Sequence, residues 1–271
     1  MKRFIAVITL CLIAISIYAE PRNALLIANG RYQKFNKLAK PVPEAKELAK
    51  SLQELGFEVM LIENASFEEM NIEIKKFREK LKNDKGIGFF HYGGHAVQVN
   101  GENYLIPINA DIPNEDYVPS RTVNVSEVMN SMLAETNIII LDSCRDNPFT
   151  GSGRSASRGL QSVKFKPKNS VIVYSAEAGK TAKDGVFTPI LTEKIKKNQD
   201  LLYVLRDVRN EVYNRTNGEQ TPGEYNQLMT AVNLCVGIPS RLAQVEAENE
   251  RLNQELERLR AKKNSSSDKD V

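Results

Sequence analysis

The stretch IIILDSCRDNPF, residues 138–149, runs four branched apolar residues straight into Asp, Ser, Cys, Arg and Asp. A short continuous apolar run of this kind reads as a strand buried on both faces, the pattern of a central strand in a parallel sheet. The polar residues that follow mark its carboxyl end. Cys144 stands there either as a small buried hydrophobe or as a nucleophile, and the strand alone leaves both readings open.

Outward from this stretch the chain repeats one alternation. NALLIAN (residues 23–29) is an apolar run closed by Asn-Gly, FEVMLI (57–62) is a second strand, GIGFFHY (86–92) a third, and SVIVYSA (170–176) a fifth. From Pro43, the residues Ala45, Leu48, Ala49, Leu52 and Leu55 share one helical face that Gly56 stops. Ser66 and Glu69 make a capping box for a helix from Phe67 to about Leu81. Further helices are expected before residue 137, over 187–197 and over 201–214, with a last apolar run at 229–238. Strand, helix, strand, helix predicts an α/β fold, a sheet of mainly parallel strands flanked by helices on both faces. Asn100-Gly101 inside VQVNGENYLI (97–106) predicts a tight hairpin forming a side ribbon.

The chain has 271 residues, 41% hydrophobic and 26% charged, enough for one sizeable domain with a core of its own. A formal charge of +3 without a basic stripe interleaved with aromatics excludes nucleic acid as an expected partner. Residues 1–19 read as a secretory signal peptide: Lys2-Arg3, an apolar run, then Ala19 for signal peptidase. The run is short for a membrane helix, so no stable membrane insertion is expected after cleavage, although an uncleaved anchor is the competing reading. The mature protein is then expected to be exported, periplasmic or secreted. Cleavage leaves Cys144 and Cys235 as its thiols, and an exported chain could join them as a disulfide, which would silence Cys144 as a nucleophile.

The expected domain covers residues 20–239. Within it TGSGRSASRGLQS, 150–162, is rich in Gly, Ser and Arg without periodicity and reads as an exposed linker loop. Over 240–262 the spacing of Leu242, Val245, Asn249, Leu252, Leu256 and Leu259 is that of a short coiled coil, with Asn249 at an a position that would specify register. Arg241 with Glu246 and Glu255 with Arg260 are complementary across a parallel pair, so a homo-oligomer through 241–262 is expected; a single surface helix is the plainer alternative. Residues 263–271 read as a disordered tail.

The two histidines are His91 and His95. Gly93-Gly94 between them and the strand before them argue against a zinc-binding helix face, so no metal is expected. In an open parallel sheet the ligand crevice lies beyond the carboxyl ends of the strands, where both His95 and Cys144 fall. A thiol needs a base to become a thiolate near neutral pH, and His95 is placed to serve. Cys144 lies 49 residues after His95, near the spacing of about 50 in the caspase signature.

These residues carry a resemblance. HYGGHAVQVNGENYLIPINADI (91–112) and ILDSCRDNPF (140–149) are similar to the caspase-like peptidase superfamily, especially its bacterial metacaspases and caspase-domain proteins, with further family features at LLIANGRY (25–32), at 40–59 and at FTPIL (187–191). The resemblance implies a caspase-hemoglobinase α/β fold and a cysteine endopeptidase with His95 and Cys144 as its dyad. It also implies an oxyanion hole from the backbone N–H groups of Cys144 and Ala96. The family's usual residue at the latter place is Gly, so a methyl near the scissile carbonyl, or strain if φ must be positive, is expected.

Asp142 matches the position that in metacaspases lines the pocket for the side chain before the cut, which implies cleavage after Arg or Lys; Ser175 adds to that wall by analogy. A strand-end carboxylate that caps backbone amides, and a strand-end hydroxyl, are the plainer alternatives. Arg154 and Arg158 in the linker loop are expected self-cleavage sites. No cofactor is expected, and the calcium that some metacaspases require is left open. A peptide or protein is the expected substrate. The rival from another class is a catalytically weak caspase-fold module that binds and scaffolds through its C-terminal helix; a third reading is a non-caspase α/β hydrolase for a small molecule.

Overall fold

The computed structural model describes residues 20–144, 167–177 and 182–235. The expected signal peptide (1–19), the linker loop with Arg154 and Arg158, the heptads and the tail lie outside the described residues.

Six strands form one sheet in the order β2-β1-β3-β6-β7-β8. They are β1 (Arg22–Ala28), β2 (Glu58–Glu63), β3 (Ile87–Val99), β6 (Thr136–Cys144), β7 (Ser170–Tyr174) and β8 (Gly223–Asn226). All neighbours are parallel except β8, which runs antiparallel along β7. β4 (Glu102–Leu105) and the two-residue β5 (Val123–Asn124) extend β3 as the expected side ribbon. Its turn is Asn100-Gly101 with φ of 54° and 78°, the two positive values a tight hairpin demands.

Helices α1 (Pro41–Glu54), α2 (Phe67–Asp84), α3 (Val125–Ser131), α4 (Phe187–Lys194) and α5 (Leu201–Arg215) cover the sheet. The capping box is formed: the Ser66 side chain accepts from the Glu69 N–H at 3.2 Å, and the Glu69 carboxylate accepts from the Ser66 N–H at 2.7 Å. Met70, Ile74, Phe77 and Leu81 of α2 pack with Val128 and Met129 of α3 on the sheet face that presents Leu25, Ile27, Phe90, Tyr92, Ile139 and Leu141. Side chains alternate along a strand, so His91, Gly93, Ile140 and Asp142 belong to the opposite face, which meets α1 and α4. Burying that continuous apolar surface on both sides is what holds the sheet between its helices.

Two elements differ from the sequence reading. β3 does not end at Tyr92 but runs on to Val99, through both glycines and His95. Glycine offers no side chain to a periodicity count, yet its main chain keeps the ladder going. β8 lies at a polar segment, GEYN, whereas the apolar run from residue 229 has no strand among its described residues. An edge strand has one covered side and partly exposed faces, so its apolar signal is weak. The run instead packs at the amino ends of the strands, where Arg22 donates to Leu234 O at 2.6 Å. Cys235 is there a free thiol whose Sγ donates to Lys196 O at 3.3 Å. Cys144 ends β6 at the opposite edge of the sheet, about 26 Å along the strand from Thr136, which shares a cleft with Val232 and Asn233. A disulfide needs Cα atoms within about 7 Å, so this fold does not join Cys144 to Cys235.

Candidate active site

β3 and β6 run in parallel register from Ile87 opposite Thr136 to His95 opposite Cys144. The two residues singled out in the sequence are therefore the last pair of this ladder, on strands about 4.8 Å apart.

His95 is 5% exposed and is held from three sides. Its ring packs on Tyr32, with centroids 4.5 Å apart, and on Phe35 at 6.3 Å. Its Nε2 lies 2.7 Å from the carbonyl oxygen of Asn36. A carbonyl only accepts, so in neutral His95 the hydrogen is on Nε2 and the lone pair is on Nδ1. On the main chain, the His95 N–H donates to the Tyr32 hydroxyl at 2.7 Å, and the His95 carbonyl accepts from the Tyr92 hydroxyl at 2.7 Å. Gly94 makes this approach feasible: its φ is +155°, and a Cβ there would lie 2.5 Å from Tyr32 Oη and 2.8 Å from Tyr92 Oη.

Ala96 departs from the expected strain. It has no positive φ, and its methyl is buried in the apolar cluster with Leu105, Val125 and Met129. The His95 carbonyl also accepts from the Ile106 N–H at 3.0 Å, and a trans peptide points its C=O and N–H oppositely. The Ala96 N–H thus faces away from the ribbon side.

Beside the His95–Cys144 register pair lies a narrow cavity lined by Pro41, Glu44, His91, Gly93, Gly94, Asp142, Asp184 and Thr188. Gly93 is the register partner of Asp142, and its missing side chain opens the gap; a Cβ there would lie 3.3 Å from the His91 ring and 3.4 Å from Pro41. The space for a water centre is about 10 Å³, the size of one water. Thr188 Oγ1 donates to Asp142 Oδ2 at 2.6 Å, and the Thr188 N–H and the Ser175 hydroxyl are bonded to the same carboxyl group. Ser175 is held in turn through its carbonyl, which accepts from Gln220 Nε2 at 2.7 Å.

Burial sets the protonation of these groups. It pushes the Asp142 carboxyl up despite the bonds from Thr188 and Ser175, and pushes Asp184 up against the pull of Lys40 and His95. Glu44 is pushed up to about 8 by burial first, then by the nearness of Asp142 and Asp184, with Lys40 opposing. His91 is lowered by burial to about 3 and is neutral. The cavity is thus lined by carboxyl groups that resist ionising together, which is the setting a cation would relieve. Among the described residues, no group of His, Cys, Asp and Glu is arranged to hold a metal ion.

Residues 21–233 match the family described as Caspase domain. The chain belongs to the caspase family. This caspase-domain chain is 30% identical over 128 residues to the mucosa-associated lymphoid tissue lymphoma translocation protein 1 of Homo sapiens and to its homolog of Mus musculus. Those matches take in 47% of this chain and 15% of each relative, so the chain spans a small part of their length. In structure it is similar to pro-sf-caspase-1, with a TM-score of 0.59 at 14% identity over 81% of this chain and 92% of that one, which shows a shared fold. The caspase-like peptidase domain and its mainly parallel sheet are thereby established, and the reading as a non-caspase α/β hydrolase is set aside.

Sequence reasoning reached His95, Cys144, Ala96, Asp142 and Ser175 of this caspase domain, and the fold gathers them at one end of β3, β6 and β7. It missed Glu44, Asp184 and Thr188, which come from α1, the segment before α4 and α4 itself. Glu44 and Thr188 lie in stretches that carry the resemblance, 40–59 and 187–191, but no local pattern marks either of them, or Asp184, as lining a pocket. From sequence His91 is a strand residue, set against a disfavoured zinc pair with His95; the spacing of four places both on one face of β3.

Proposed function

We propose that this caspase-domain chain is a cysteine endopeptidase that cuts after Arg or Lys, with Cys144 as nucleophile and His95 as its base. The pairing of His95 with Cys144 at the end of the β3–β6 ladder, beside a cavity lined by three carboxyl groups, carries the reading.

In the proposed cycle the Nδ1 lone pair of His95 takes the thiol proton while Asn36 O holds the opposite edge of the ring. The thiolate adds to the scissile carbonyl, and its oxyanion takes the N–H groups of Cys144 and Ala96. His95 then returns the proton to the leaving amine, and a water activated by the same nitrogen hydrolyses the acyl-enzyme. A basic side chain enters the cavity beside Asp142, Glu44 and Asp184 as its walls part. Its positive charge favours the ionised carboxylates, and Asp142, already aimed by Thr188 and Ser175, offers the charge-assisted bond.

Export behind a cleaved signal, self-cleavage at Arg154 and Arg158, and association through 241–262 belong to the same proposal. Turnover of fluorogenic peptides ending in Arg, Lys or Asp by the mature protein, beside Cys144→Ala and with and without calcium, tests it. Cleavage after Arg or Lys that disappears in the variant is expected. Folded protein with a free thiol and no cleavage would transfer the assignment to a binding and scaffolding module.

A further inference from the structure

His91 is 1% exposed, yet the peptidase chemistry makes no use of it. Its Nε2 lies 3.1 Å from Thr188 Oγ1, and that hydroxyl spends its own hydrogen on Asp142 Oδ2 at 2.6 Å. The hydroxyl can then only accept from the ring, so Nε2 carries the hydrogen and Nδ1 is a bare acceptor. Among the described residues Nδ1 has no hydrogen-bond partner, and His91 lines the cavity at the Gly93 gap. Burial keeps the ring neutral, so it does not repel a cation.

We propose that His91 determines a preference for arginine over lysine in this pocket, its Nδ1 accepting a hydrogen bond from the substrate guanidinium. The assignment rests on the reading of the cavity as the pocket for a basic side chain. The chemistry that separates the two residues is donor count and shape. An ammonium has three donors at one point, which the carboxylates of Asp142, Glu44 and Asp184 can satisfy. A guanidinium brings five N–H groups in a planar fork, and Asp142 already receives the Thr188 hydroxyl, the Thr188 N–H and the Ser175 hydroxyl. An additional neutral acceptor in the same lining suits the fork.

The test compares kcat/KM on matched peptides ending in Arg and in Lys for wild type and His91→Phe, which keeps a ring of similar size. The Arg-to-Lys ratio is expected to fall about tenfold, the size of one hydrogen bond from a charged donor, whatever loss both peptides share from the bond to Thr188 that the phenyl ring cannot make. An unchanged ratio, or equal losses on both peptides, overturns the assignment. Should the variant not fold, wild type with ¹⁵N-labelled histidine supplies a second measurement. The His91 Nδ1 resonance is expected to leave the bare-imidazole position when a peptide aldehyde ending in Arg occupies the site, and to stay there with one ending in Lys; the same response to both overturns it. Wild type that cuts after neither residue sinks the pocket reading and this assignment together, whereas wild type that cuts after both with a ratio His91→Phe leaves alone sinks only the latter.

Discussion

His95 and Cys144 are register partners, the last pair in the parallel ladder between β3 and β6. Their main-chain positions are fixed by two central strands rather than by loops, so removing either side chain leaves the scaffold standing. Cys144→Ala is expected to abolish peptide turnover. His95→Ala is expected to lower kcat/KM by about 10²–10⁴, the usual contribution of a positioned base. The Cys144 thiol of that variant should then be alkylated by iodoacetamide more slowly near neutral pH than that of wild type. A His95→Ala protein with wild-type turnover would remove the base from the proposal.

Tyr32 positions His95 twice, by accepting its N–H and by packing on its ring. Tyr32→Phe keeps the ring and orphans the buried amide, at an expected cost of about 1–3 kcal/mol in urea denaturation. A fall in kcat with KM little changed is expected alongside. Gly94→Ala should be worse, because its methyl meets both tyrosine hydroxyls at contact distances no side chain tolerates. If both variants retain wild-type stability and rate, the tyrosine pair does not hold the histidine.

Asp142→Asn keeps the shape of the pocket and removes its best-placed charge. One charge-assisted bond is worth about 1.5–3 kcal/mol, so kcat/KM on an Arg peptide should drop about 10- to 100-fold. Burial already resists ionisation of this carboxyl, so the variant is expected to fold as well as wild type. Thermal melts beside the peptide assay separate the two effects; an undiminished rate on Arg peptides would place the selecting charge elsewhere.

Glu44 gives stability a pH dependence. Its ordinary value of 4.5 becomes about 8 in the fold, so between these values the folded protein holds a proton that the unfolded chain has lost. That stabilisation is complete below pH 4.5 and is lost as the pH climbs through 8. Asp142 and Asp184, also raised, act in the same sense. His91 works oppositely: lowered from 6.5 to about 3, its contribution is present above 6.5 and is lost as the pH falls through 3. Glu44 and His91 oppose each other between 4.5 and 6.5, and above 6.5 the Glu44 effect is no longer offset by His91. Tm is expected to fall from pH 6.5 to 8, and Glu44→Gln to lessen that fall. An equally steep fall in the variant would exclude Glu44 as its source.

Local signals in the chain account for much of the fold. The apolar runs of β1, β2, β6 and β7, the Ser66–Glu69 capping box and the Asn100-Gly101 turn are each decided by neighbours within a few residues, so they are legible without a structure. The two catalytic candidates were legible for a related reason: each sits at the carboxyl end of a readable apolar strand, where a parallel sheet places its chemistry.

What the tertiary structure alone decided are relationships that have no period in sequence. The extension of β3 through Gly93-Gly94 depends on ladders with β1, β6 and β4, and glycine carries no side chain to announce it. β8 is a strand because β7 offers it a partner, not because GEYN is apolar. Glu44, Asp184 and Thr188 converge on Asp142 from positions about 40 to 100 residues away in the chain, and the raised pKa values of Glu44 and Asp184 arise first from burial. Burial and convergence are properties of packing between distant segments, so the residues at 138–149 could announce the strand and its cysteine but not the pocket that surrounds them.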